Sequence, residues 1–128
     1  MSGEAERVLE NNVQRLRKLI TNYNLTRSSS QRLELQGPFD LGALSTTEIT
    51  RRPGVYLIFC EDGSFKYTGK SEKSTTRSRI GNHLKPKVQA SPFWRNSPPP
   101  KFFCVIETPG EEAGALETYL QRNDFYGR

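Results

Sequence analysis

The sequence predicts an α+β domain: a small, mainly antiparallel three-stranded sheet flanked by helices, with an N-terminal helical extension. Three observations carry this. An unbroken run of aliphatic, β-branched and aromatic residues ends at Cys60 and is followed, one residue later, by Asp62-Gly63, a tight-hairpin dipeptide. A second run of the same kind occupies residues 102–106. Helix-period patterns flank both, at residues 4–25, 74–85 and 111–121.

The first helix places Leu9, Val13, Leu16, Ile20 and Tyr23 at alternating steps of four and three, a heptad-like apolar stripe. The stripe fits a helix packed on its own domain, and it leaves open a homodimer or a partner protein held through the same face. Residues 27–31 are polar and read as a linker. The chain therefore divides into an N-terminal helix with its linker, residues 1–36, and a main domain, residues 37–128. Gly37-Pro38 marks a turn, residues 44–51 a short helix with Ser45, Thr46 or Thr47 near its N-cap, and Pro53-Gly54 a break. Residues 54–60 form a buried strand, and residues 65–68 return beside it. Gly81 weakens the helix at 74–85 and Pro86 stops it. Residues 91–100 are a loop, because Pro98-Pro99-Pro100 suits neither a helix interior nor a central strand. Pro109-Gly110 turns the chain into the last helix.

At 128 residues the chain has room for one domain with a real core. Its longest apolar run, residues 55–60, is far short of a membrane span. Residues 1–10 carry acids where an export signal needs a basic and then an apolar segment. Cys60 and Cys104 allow one bridge at most. A reduced pair in the cytoplasm is the expectation, and two cysteines with one histidine make a zinc site a poor fit. The net charge is +5. Between Ser64 and Lys101 stand Lys66, Lys70, Lys73, Arg77, Arg79, Lys85, Lys87, Arg95 and Lys101, against Glu72 alone. So basic a window suits a phosphate-bearing partner, with a solvated basic face as the plainer reading.

The hairpin sets a register in which Tyr56 lies opposite Gly69 and Ile58 opposite Tyr67. Tyr56, Ile58 and Cys60 then share a face with Phe65, Tyr67 and Gly69. The two tyrosines become same-face neighbours, and Gly69 is expected to leave an open space beside Tyr56. Ordinary core packing is the competing reading. Arg79 and His83 are one helical turn apart, pairing a bidentate phosphate donor with an imidazole that can donate a hydrogen bond or move a proton. A lone histidine near a helix end also fits a capping role. In the last helix Ala113, Leu116, Glu117 and Leu120 follow the inward-facing template, so Glu117 takes a slot where an apolar residue belongs. A partly buried carboxylate needs a cation or hydrogen-bond donors, which points to an arginine, a lysine or a divalent metal.

Gly54-Val55-Tyr56, ten intervening residues, Tyr67-Thr68-Gly69, then Arg79, His83 and Ala115-Leu116-Glu117 together resemble the GIY-YIG nuclease superfamily. The resemblance spans about residues 51–121. It implies a metal-dependent DNA endonuclease that hydrolyses a phosphodiester to a 5′-phosphate and a 3′-hydroxyl. By that resemblance, Glu117 holds one divalent ion, Mg²⁺ or Mn²⁺, Arg79 clamps the phosphate, Tyr56 is the general base, and Tyr67 and His83 orient or relay. A tyrosine base needs nearby cations to lose its proton, and Lys66, Lys70 and Arg79 are candidates for that field. DNA contacts are expected from Lys66, Lys70, Lys73, Arg77, Lys85 and Lys87. The chain departs from the pattern in three ways. Thr68 stands where isoleucine or valine is usual. The interval from Gly69 to Arg79 is about one or two residues longer than typical, which leaves Arg77 a rival for Arg79. The asparagine that usually follows the glutamate has Asn123 as its only candidate. Restriction, repair or mobile-element roles all fit. A catalytically weak or inactive nucleic-acid-binding module, or an interaction subunit recruiting a partner through its first helix, are the alternatives.

Overall fold

The computed structural model describes residues 3–28 and 31–126. Its first element is α1, Gly3–Tyr23, followed by the strand β1, Leu35–Asp40. Two short 3₁₀ segments, Leu41–Thr46 and Glu48–Arg51, lead into the hairpin of β2, Gly54–Cys60, and β3, Phe65–Ser71. Then come the helices α2, Thr76–His83, α3, Pro86–Gln89, and α4, Pro92–Arg95. The strand β4, Pro100–Glu107, and the helix α5, Gly110–Arg122, complete the chain.

The sheet has four strands in the order β1-β4-β2-β3, all antiparallel, not three. The strand missing from the sequence reading is β1. Its Gly37-Pro38 reads as a turn, yet here the pair sits inside an edge strand. The ladder with β4 breaks register between Gln36 and Phe39, and that irregularity absorbs the proline that a central strand would refuse. Both central strands are buried on both faces. That explains why β2 reads as continuous apolar sequence with no alternation.

Helices cover the two faces unequally. One face carries α1 and α5, with Leu9, Val13, Leu16 and Ile20 packed on Val55, Leu57 and Phe59, and with Ala113, Leu116 and Leu120 of α5. The apolar stripe of α1 is thus covered largely by its own sheet. Tyr23 completes the stripe, its ring 5.1 Å from that of Tyr119. Residues 29–30 of the expected linker lie outside the described residues; Arg27 is held, its guanidinium paired with Glu112 of α5. The other face carries α2, α4 and the 3₁₀ segments over Tyr56, Ile58, Phe103 and Val105, with Ile80 and Trp94 supplied by the helices. Cys60 and Cys104 are both free and buried. Among the described residues no helix is long and apolar enough to cross a membrane.

The hairpin register at the tyrosines is as the turn dictates: Tyr56 pairs with Gly69 and Ile58 with Tyr67. Nearer the turn it differs. Cys60 bonds the carbonyl of Ser64 at 2.8 Å, so the loop has three residues, with Gly63 at φ +84° and its α-carbon against the Ala5 carbonyl of α1. The ladder steps from Ile58–Tyr67 to Phe59–Phe65. Lys66 is the extra residue of this bulge. Phe65 consequently joins Phe59 and Phe125 on the α1/α5 face, with ring centroids 5.9 and 5.1 Å away, and does not share the face of Tyr56 and Tyr67. Thr68 bonds the carbonyl of Phe125 at 2.8 Å, a tie that an isoleucine or valine could not make.

Candidate active site

The site grows from the hairpin face beneath α2. Tyr56 is 3 % exposed, and the end of its ring lies where a side chain on Gly69 would begin. An ideal Cβ on Gly69 would also fall 2.7 Å from the Tyr67 ring. The expected open space beside Tyr56 is therefore filled by the two phenols themselves. Glycine at this position lets them lean together, with ring centroids 6.0 Å apart. Nothing larger fits without moving one of them.

The helix α2 brings two polar side chains to this pair. Thr75 caps it by accepting from Ser78 N at 3.1 Å, and Thr76 docks it by donating to the Thr50 carbonyl at 3.1 Å. Ile80 is fully buried beneath it. One turn of this anchored helix then separates Arg79 from His83. The imidazole Nε2 lies 3.3 Å from the Tyr56 hydroxyl, and its ring is 4.5 Å from that of Tyr67. Arg79 is exposed, and among the described residues no side chain bonds or pairs with its guanidinium. Its charge nevertheless acts on both phenols.

Glu117 reaches the same region from α5, which packs along β3. It is half-buried on the inward face, as its slot requires, and among the described residues nothing hydrogen-bonds or ion-pairs with it. Burial pushes its carboxyl above the ordinary range; Lys70 opposes the shift and Glu72 adds to it. Burial also raises Tyr56 well above a usual phenol and pushes Tyr67 up. At Tyr56 the neighbouring Tyr67 adds to the rise and Arg79 opposes it; Glu117 raises both phenols. Burial lowers His83 below an ordinary imidazole. At neutral pH the resting site is thus two phenols and a neutral imidazole, with one cation, Arg79, and one acid, Glu117, acting on the phenols.

Such a donor set fits a hard divalent ion. A half-buried carboxylate with no hydrogen-bond or ion-pair partner among the described residues is the group that a metal would complete, and Mg²⁺ commonly takes one or two protein carboxylates plus water and phosphate. Among the described residues no group of three or more histidines, cysteines and acids gathers to form a closed cage. Glu72 lies nearby but is paired with Lys70 at 2.9 Å.

The basic residues expected on DNA divide. Lys73, Lys85 and Lys87 are exposed. Lys66 is only 8 % exposed: the bulge turns it inward, its ammonium 3.9 Å from the Phe93 ring centroid, so it is placed as a packing cation and not on the surface. Lys70 sits beside Glu72. Arg77 gives its Nε to Thr50 Oγ1 at 3.0 Å and an NH₂ to the Thr47 carbonyl at 3.2 Å. That binds it to the 3₁₀ segment and leaves Arg79 as the guanidinium beside the tyrosines. Of the three cations proposed to bias Tyr56, Arg79 is the one that lowers it. Asn123 donates to the Tyr119 carbonyl at 2.7 Å, closing its own helix.

Sequence reading missed Phe93 and Trp94, which it put in a loop. Both lie in α4, against Tyr67 and His83 respectively. A signal was available: Lys85-Pro86 and Ser91-Pro92 each place proline at the first turn of a new short helix, where its missing N–H costs nothing. A family model described as the GIY-YIG catalytic domain matches residues 52–124, more than half of the chain. No curated protein and no solved structure matches.

Proposed function

From the premise that this chain belongs to the GIY-YIG family, whose members are generally nucleases, we propose that it is a metal-dependent DNA endonuclease cutting one strand per site. The observation that carries the reading is convergence: Tyr56, Tyr67 and His83 are in mutual contact, and Arg79 and the half-buried Glu117, neither with an ion-pair partner among the described residues, both act on the phenols. Glu117 would hold Mg²⁺ or Mn²⁺. Bound there, such an ion supplies charge neutralisation at the phosphate and leaving oxygen, and turns the upward push of Glu117 on Tyr56 into a downward one. Arg79 clamps two oxygens of the scissile phosphate through its planar fork. Tyr56 first releases its phenolic proton to solvent under the positive field of Arg79 and the ion; the phenolate then acts as general base and takes a proton from the attacking water, while His83 steadies its oxygen and Tyr67 holds the neighbouring position. The products carry a 5′-phosphate and a 3′-hydroxyl. Lys73, Lys85 and Lys87 are the exposed cations that track the backbone.

One observation favours a second reading. Asn123, the residue the sequence offers for the family's asparagine, donates instead to the Tyr119 carbonyl of its own helix. That suits a weak enzyme or a non-catalytic nucleic-acid-binding module. One assay separates them. Supercoiled plasmid with Mg²⁺ or Mn²⁺ is nicked by the wild type and not by Glu117→Ala if the chain is a nuclease. Salt-sensitive binding without nicking identifies the module.

A further inference from the structure

Two buried atoms play no part in the reaction as drawn. His83 Nδ1 and Trp94 Nε1 are both shielded from solvent, and neither has a hydrogen-bond partner among the described residues. They belong to rings that meet edge to face, centroids 5.9 Å apart at 69°. Trp94 is 3 % exposed. An indole nitrogen can only donate, whereas Nδ1 donates or accepts according to tautomer. With the proton on Nδ1, both nitrogens would be buried N–H donors on neighbouring rings with nothing among the described residues to accept either, the rarer and costlier kind of orphan. With the proton on Nε2, a bare acceptor stands beside an unused donor.

We propose that Trp94 is a positioning residue. Its indole N–H satisfies His83 Nδ1 through one bridging water and holds the proton on Nε2, so that His83 donates to the Tyr56 hydroxyl oxygen. A donor there stabilises the charged form of the phenol, which a base must adopt. The catalytic consequence rests on the reading of Tyr56 as base; the tautomer assignment does not.

The surroundings explain how the indole is held. The bulge in β3 turns Lys66 inward, and its ammonium lies 3.9 Å from the Phe93 ring centroid and 5.6 Å from that of Trp94. Phe93 packs edge-on against Tyr67 at 5.8 Å. One bulged lysine thus clips α4 onto both aromatic partners of Tyr56. The ionisable groups facing His83 are Tyr56 from β2 and Tyr67 from β3, with Arg79 on its own helix.

The chain has one histidine and one tryptophan, so each gives a single signal. Nitrogen NMR of ¹⁵N-histidine-labelled protein, above the imidazole titration, should find one Nε2–H tautomer, with an indole N–H slow to exchange. Trp94→Phe keeps an aromatic ring and removes the donor. It should leave the fold intact by circular dichroism, mix the two tautomers and slow plasmid nicking about tenfold at unchanged DNA affinity. An Nδ1–H or averaged tautomer in the wild type, or a fast-exchanging indole, overturns the proposal even if Trp94→Phe fails to fold. So does a Trp94→Phe variant with an unchanged histidine spectrum. An Nε2–H tautomer that Trp94→Phe mixes, in a wild type that never nicks, sinks the nuclease reading and leaves the positioning role standing.

Discussion

The Tyr56 hydroxyl and the His83 Nε2 stand 3.3 Å apart, joining a central strand to the end of a helix that begins twenty residues further along the chain. The pair can exist because Gly69 has no side chain to hold the phenol away. Most of what can be tested turns on that contact.

Tyr56→Phe removes the hydroxyl and little else. Nicking should fall at least about a hundredfold, the usual scale for a lost general base, while the melting temperature moves by a few degrees at most. Undiminished cutting by this variant would mean that another group takes the proton.

Gly69→Ala tests the close approach directly. The added methyl group overlaps the Tyr56 ring and sits 2.7 Å from that of Tyr67, so one of them must shift. Overpacking of this kind costs about 1–3 kcal/mol. Chemical denaturation should register that loss, and nicking should fall with it because the phenol leaves His83. Full stability and full activity together would mean that the rings give way freely.

The two arginines of α2 should separate by readout. Arg77→Ala loses hydrogen bonds to Thr47 and Thr50, so it should lower stability by about 1–3 kcal/mol. Arg79→Lys keeps the charge and loses the fork. It should leave stability unchanged and slow nicking by tenfold or more. Reversal of the two patterns would make Arg77 the phosphate clamp.

Burial lowers the pKa of His83 below that of the unfolded chain. The folded state therefore binds fewer protons than the unfolded one between the two values, and stability rises with pH across that window. The contribution is complete above about pH 6.5, the unfolded value, and is lost as pH falls toward the folded one. Melting temperatures of wild type and His83→Phe, compared from neutral to acidic pH, should differ in slope below that point. Parallel curves would show that the imidazole titrates alike in both states.

Lys85 and Lys87 are exposed just beyond the end of α2. If both meet phosphates, Lys85→Ala with Lys87→Ala should reduce the slope of log affinity against log salt by about 1.8. Lys66→Met should leave that slope unchanged, because its ammonium is buried over Phe93. A slope that responds to Lys66 instead would relocate the DNA path.

Much of this was legible in the sequence because it depends on local rules. Apolar composition and Asp62-Gly63 marked the β2–β3 hairpin, and its register set Tyr56 against Gly69 and Ile58 against Tyr67. Helical spacing put Arg79 one turn from His83 and turned Glu117 inward beside Leu116 and Leu120. The rest depends on partners far away in the chain. Only β4 makes a strand of Leu35–Asp40 despite its Gly-Pro pair. Only the bulge opposite Phe59 turns Lys66 away from solvent and Phe65 to the other face. Only the 3₁₀ segment claims Arg77, and only the lean of Tyr56 fills the space above Gly69. Periodicity along a chain tells which way a side chain starts out; what it meets there is settled by packing between elements that the local pattern never compares.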